Sequence, residues 1–292
     1  MRQRLAAVGL EALSRWHGSV RVICFGVRRV VPVRGTLATS LVQRHNRNPT
    51  WKSAIFRAFP VGDGECLVDV GSSIGQTLLE YRAVRPRGSY VGLDPNPRSI
   101  AYLDELIEAN GFEDCRLFCF AASDQPGPAV LHLATGNDDN SGGTLIESLR
   151  PTQNDDALGV AMLPLDTALP FIEPRKVRLV KIDVEGAELF TIRGMSQLIA
   201  RHRPAIACEV LFADPAADPA PVEQRNAELA GLLHTLGYRI YQIVKVSEAD
   251  TEPRVRRIEA FPTGIYTRQT SHLCDYMFVP DEQAMPLPQA AR

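Results

Sequence analysis

Between residues 66 and 279, short apolar runs take turns with stretches whose apolar positions recur every three or four residues. The runs 66–70, 89–93, 116–121, 177–182, 204–211, 238–245 and 274–279 are rich in Val, Ile, Phe and Tyr and read as seven strands. Between them, Ile100, Leu103, Leu106 and Ile107 share one helical face that stops at Gly111. Leu189, Ile192, Met195, Leu198 and Ile199 form a second such face, and Leu229, Leu232, Leu233 and Leu236 a third, closed by Gly237. Near-continuous apolar strands are those covered on both sides. The alternation predicts an α/β fold: a doubly wound, mostly parallel seven-stranded sheet with helices on both faces. The last two strands are separated by the polar segment 247–273 and are expected as an antiparallel pair at one edge.

Upstream, the pattern changes. Residues 1–16 look helical, Val20 to Val33 reads as one long strand or a hairpin turning at Gly26, and 36–59 is helical in part with a break at Asn48-Pro49. This divides the chain into an extension (1–60), a main domain (61–282) and a short tail (283–292). Charge follows the division. Residues 1–60 hold eleven Arg or Lys against the single acid Glu11, whereas the remainder has 21 basic and 33 acidic residues. Without aromatic interleaving, the basic arm suits docking on the protein's own acidic body better than binding a phosphate polymer. Three long segments, 134–157, 213–223 and 247–273, exceed ordinary connections, and some of them are expected to wall a substrate pocket. The six scattered cysteines read as free thiols in a reducing cytoplasm, and neither a membrane-length apolar run nor a secretory leader is evident.

The chemistry gathers at strand-to-helix junctions. Leu67-Val-Asp69-Val-Gly71-Ser72-Ser-Ile-Gly75 puts glycines and an acid where free helical N–H groups would face a ligand. The spacing lacks the G-x-G-x-x-G of a nicotinamide site, and Asp69 suits a cationic ligand better than a diphosphate. Asp94 and Asn96 follow the next strand, where Asp94 is placed to take two ribose hydroxyls. Ser123 and Asp124 follow the third strand and offer polar groups to an adenine edge. The fourth junction, Lys181-Ile-Asp183-Val-Glu185-Gly-Ala-Glu188, supplies three carboxylates ahead of a helix beginning near Glu185.

These residues resemble the class I S-adenosylmethionine-dependent methyltransferases, and more narrowly the FkbM family of O-methyltransferases. Leu165-Asp166, Val180 to Glu188, Arg193-Gly194, Arg203-Pro204 with Glu209, and Asn140 to Leu145 bear the family pattern. Ser72-Ser73 stands where members more often have Ala-Asn. The resemblance implies a Rossmann-like sheet, S-adenosylmethionine as cofactor, and a hydroxyl of a sugar, glycolipid or secondary metabolite as acceptor. An alcohol needs a base for its proton. Asp183, Glu185 and Glu209 are the candidates, and Glu188 is expected to serve the helix. The paired carboxylates show no third ligand that would mark a metal site. Lys181 either points into the site or is a paired structural cation, and His45 and His272 fall in loops. The competing readings are a nicotinamide-dependent oxidoreductase and a non-catalytic module binding RNA or another anion through its basic arm.

Overall fold

The computed structural model describes residues 17–34, 41, 48–134, 142–149, 154–173 and 175–290. The expected helix at 1–16, most of 36–47 with His45, and the start of the Asn140 loop lie outside these. Strands β1 (His17–Cys24) and β2 (Val27–Arg34) form the hairpin, turning through Phe25 and Gly26. Both turn residues have positive φ (52° and 81°), the two-residue geometry that matches strand twist. Helix α1 (Trp51–Ala58) then leads into β3 (Glu65–Val70), α2 (Gln76–Val84), β4 (Ser89–Leu93), α3 (Pro97–Asn110) and β5 (Cys115–Phe118). The hairpin lies on α3. Asn110 pairs with both the N–H and the carbonyl of Val30, the Tyr102 hydroxyl donates to Pro32 O at 2.7 Å, and Arg34 meets Glu105 at 2.8 Å.

The chain continues through β6 (Ala121–Ala122), β7 (Gly127–Ala134), β8 (Asn154–Leu163), the short helix α4 (Leu169–Ile172), β9 (Lys176–Ile182), α5 (Glu188–Arg193), α6 (Ser196–His202) and β10 (Ala205–Glu209). It ends with α7 (Ala220–Thr235), β11 (Tyr238–Val244), β12 (Arg254–Ile258) and β13 (Asp275–Pro280). The main sheet runs β12-β11-β13-β10-β9-β3-β4-β5. Strands β10, β9, β3, β4 and β5 are parallel neighbours, and β13 pairs antiparallel with both β10 and β11. Each face has its own apolar layer. Ile55, Phe56, Leu78 and Leu103 cover one side, while Leu189, Ile192, Leu198 and Leu233 cover the other.

Four expectations need correction. The sheet has eight strands, because β12 emerges from the segment read as polar loop and takes the edge beyond the β11–β13 pair. The third strand does not run to residue 121. It stops at Phe118, and Ala121-Ala122 pairs with β8 in a separate three-stranded sheet, β6-β8-β7. The helix expected near Glu185 starts at Glu188, since Glu185 (φ 53°) and Gly186 (φ 97°) form a left-handed turn. The apolar face from Leu189 to Ile199 belongs to two helices broken at Gly194-Met195, with the Asp166 carboxylate capping the second through Gln197 N and Leu198 N, both at 2.9 Å.

Candidate active site

Strand order fixes where a site can form. The chain winds outward from β3 to β5 in one direction and from β9 to β10 in the other, so a crevice opens beyond the carboxyl ends of β3 and β9. There, Gly71 (φ 79°) turns the chain so closely past the fourth junction that a Cβ would lie 1.9 Å from Asp183 O. Only glycine fits. Gly71 N and Ser72 N both bond Leu93 O at 2.9 Å, and Asp183 N bonds Val70 O at 3.0 Å. Three junctions are thereby tied together.

Two cavities flank this knot. The first, about 260 Å³, is lined by Gly71, Ser72, Ser73, Gln76, Asp94, Asn96, Asp183 and Glu185, with an apolar wall that includes Leu93, Phe120 and Leu131. The second, about 290 Å³, is bounded by Trp51, Phe56, Asp183, Glu209, Glu248, Tyr266 and Asp275. Lys52, Lys181 and Asp183 line both.

Asp94 accepts hydrogen bonds from Ser73 N and Asn96 N, both at 2.9 Å. Burial outweighs those donors and pushes its carboxyl up to about 6. Asn96 caps α3 through Oδ1, while its Nδ2 and the hydroxyls of Ser72 and Ser73 are buried without a partner. Unmet polar groups at a cavity wall are suited to a polar ligand.

Asp69 does not line the cavity, contrary to expectation. It is fully buried within β3, where Tyr90 donates to it at 2.6 Å and Lys181 lies 3.3 Å away. The cation it recognises belongs to its own chain. Gly75 (φ 93°) also faces inward: a Cβ there would meet Leu103 and Leu106 of α3 at 2.6 and 2.8 Å. Ser123 and Asp124 turn away as well, because the chain after β6 packs against Gly194, whose Cβ would sit 1.8 Å from Ser123 O. Phe120, Ala121 and Ala122 face the cavity in their place.

Lys181 is a paired cation. Its Nζ donates to Gly71 O at 2.9 Å and lies 3.3 Å from both Asp69 and Asp183. Burial opposes its charge, but the two carboxylates outweigh burial and hold the ammonium above its ordinary range. Burial likewise works against ionised Asp183, yet Lys181, Lys52 and a hydrogen bond from Glu209 keep it below the usual carboxylate range. Glu209 is driven the other way, first by burial and then by Asp183, Glu185 and Asp275, and holds its proton well above the ordinary range. The pair thus shares one proton. Glu209, a candidate base in the sequence, also corrects the expectation of no third ligand beside the paired carboxylates: ligand atoms of Asp183, Glu185 and Glu209 lie within 4.8 Å of one another. Lys181 and the Glu209 proton already answer much of that cluster's charge. Glu188 faces its helix, accepting from Gly186 N at 2.9 Å, and His272 is exposed outside both cavities.

Sequence reasoning passed over Trp51, Lys52 and Glu248. Nothing in their local pattern marks them, since their place depends on how α1 docks.

A family model described as Methyltransferase FkbM domain matches residues 69–240. The 2-O-methyltransferase NoeI of Sinorhizobium fredii (strain NBRC 101917 / NGR234) is 25% identical over 147 residues, covering 47% of this chain and 60% of that protein. Among solved structures, a methyltransferase FkbM from Methylobacillus flagellatus KT aligns with TM-score 0.45 and 15% identity, over 78% of this chain and 48% of the other. Aeropyrum pernix fibrillarin in complex with S-adenosyl-L-methionine aligns with TM-score 0.40 and 12% identity, over 78% and 72%. The chain therefore spans less than two thirds of NoeI and about half of the Methylobacillus protein.

Proposed function

The chain belongs to the FkbM methyltransferase family, and from that premise we propose that it methylates a hydroxyl oxygen of a sugar, glycolipid or secondary metabolite with S-adenosylmethionine. The observation behind this reading is the meeting of two cavities at a single ionised carboxylate, Asp183. The first cavity suits the cofactor. Asp94 is aimed at vicinal hydroxyls, the orphaned groups of Ser72, Ser73 and Asn96 lack partners, and Phe120 and Leu131 offer an apolar slot. Bound there, S-adenosylmethionine supplies an electrophilic methyl group on a sulfonium.

The second cavity is the acceptor side, and its carboxylates and aromatic groups suit a hydroxyl-rich molecule. Asp183 takes the hydroxyl proton as the hydroxyl oxygen becomes a nucleophile. Lys181 fixes the position of that carboxylate, and Glu209 returns a hydrogen bond to it. Glu185, held in its left-handed turn, faces the first cavity and keeps the region negative. That NoeI is a 2-O-methyltransferase agrees with an oxygen acceptor.

Calorimetry with S-adenosylhomocysteine tests the cofactor side. Wild type should bind, and Asp94→Ala should weaken binding about tenfold or more by losing charged hydrogen bonds. Asp183→Asn should bind within about twofold of wild type yet lose ~10²-fold or more in turnover on any hydroxyl probe that wild type methylates. No binding by wild type refutes the reading, and equal loss of binding in both variants refutes the division of roles.

A further inference from the structure

We propose that Lys52 holds the carboxylate at the amino-acid end of the cofactor, an inference that rests on S-adenosylmethionine occupying the first cavity. That molecule has a nucleoside end and an amino-acid end. We assign Asp94, Asn96 and the apolar wall to the nucleoside end; the other polar side chains lining the cavity include Ser72, Gln76, Thr77, Lys52, Lys181 and Asp183. A carboxylate brought into such a half-closed cleft needs a cation, because an unpaired charge is costly to desolvate.

Among the described lining residues only two are cationic, Lys52 and Lys181. Lys181 is committed. Its three N–H groups are directed at Gly71 O, Asp69 and Asp183, and moving it would leave Asp69 buried and unpaired. Lys52 is not. Its Nζ makes no ion pair within 4.0 Å among the described residues; it lies over the Trp51 ring, 5.6 Å from the centroid, and acts only at longer range on Asp183, Glu248 and Asp275, whose carboxyls it helps to lower.

The helix bearing Lys52 is pinned on both sides of the crevice. The Glu80 carboxylate accepts from Thr50 N (2.7 Å), Thr50 Oγ1 (2.8 Å), Ser53 N (3.1 Å) and Ser53 Oγ (2.6 Å), which anchors α1 to the helix following the Gly71 turn. Trp51 Nε1 donates to Glu248 at 2.9 Å and anchors it to the acceptor side. Lys52 lies between these anchors, so its backbone is held where the side chain lines both cavities, and only that side chain has to order on binding. It also lies outside residues 69–240, so the family pattern contains no signal for it.

The experiment compares two probes by calorimetry on the full chain: S-adenosylhomocysteine, which has the amino-acid end, and 5′-methylthioadenosine, which lacks it. Lys52→Met should raise the Kd of S-adenosylhomocysteine about ten- to a hundredfold, while 5′-methylthioadenosine binding stays within about twofold and shows that the cavity is intact. Lys52→Arg should recover part of the loss. Unchanged S-adenosylhomocysteine binding in Lys52→Met would overturn the proposal. So would an equal loss for both probes, which would mean a structural role. Wild type that binds neither probe would overturn the cofactor reading itself, and this proposal with it.

Discussion

Glu188 shows how a single side chain can be read from sequence for the right element yet in the wrong state. Three acids ahead of a helix suggest complementing its positive end, and Glu188 does so through Gly186 N. What the sequence hides is its burial at 4% exposure, which outweighs the backbone donors and pushes the carboxyl up to about 7 from an ordinary 4.5. The sign follows from linkage. A carboxyl whose folded-state pKa is raised stabilises the fold fully below the unfolded pKa, and that contribution is lost as pH rises through the folded value. Between about pH 4.5 and 7 the loss is on the order of 3 kcal/mol. Glu188→Gln should flatten the decline in melting temperature between pH 5 and 8 relative to wild type, and parallel curves for the two proteins would refute this. Asp94 and Gly71 were legible for a related reason: an acid after one strand and a glycine after another reflect demands made by the local backbone. Asp69 was misassigned because its cation comes from β9, about a hundred residues away.

At the scale of elements, helices and inner strands announced themselves through periodicity, and the exceptions have physical causes. Strand β12 (Arg254–Ile258) covers one side with Val255 and exposes arginines on the other, as edge strands do, so it reads as polar. Strands β7 and β8 mix Gly, Ala and Pro with apolar residues on both faces, as at Val130, which is 48% exposed, and the alternation is blurred. Helix α1 is short and draws its position from tertiary contacts. The Glu80 carboxylate, 2% exposed, takes the donors at its start, and no local sequence rule links residues 30 apart. Glu80→Gln replaces one accepting oxygen by an NH₂ that faces donors. It should cost about 1–3 kcal/mol and speed amide exchange at residues 51–58, and it should weaken S-adenosylhomocysteine binding in parallel if Lys52 acts as proposed. Unaltered exchange in that helix would show that other contacts hold it.

For the molecule as a whole, the decisive position is the boundary between the two winding directions, where Asp69 and Lys181 are register partners across β3 and β9. The one ammonium meets a carboxylate inside the sheet, a carboxylate at the crevice and the carbonyl of Gly71, so it joins the core, the Gly71 turn and the crevice acid. In the sequence the strands on each side were visible, but their adjacency was not, and so neither was the pair. Lys181→Met should therefore cost about 3–5 kcal/mol, because it strands a buried carboxylate rather than merely deleting an attraction. The pH dependence separates this account from simple loss of packing. In wild type, the raised Lys181 pKa contributes stability lost only as pH rises through that folded-state value, so its share is constant from pH 5 to 8. Without the cation, burial drives the Asp69 carboxyl further up, and ionising it becomes the dominant cost. The stability gap between Lys181→Met and wild type should then narrow as pH falls from 8 to 5. Adding Asp69→Asn should recover much of it at pH 8, a coupling readable from denaturant melts of the four proteins. A gap that stays constant with pH, or losses that simply add, would show that the pair does not hold the two halves of the sheet together.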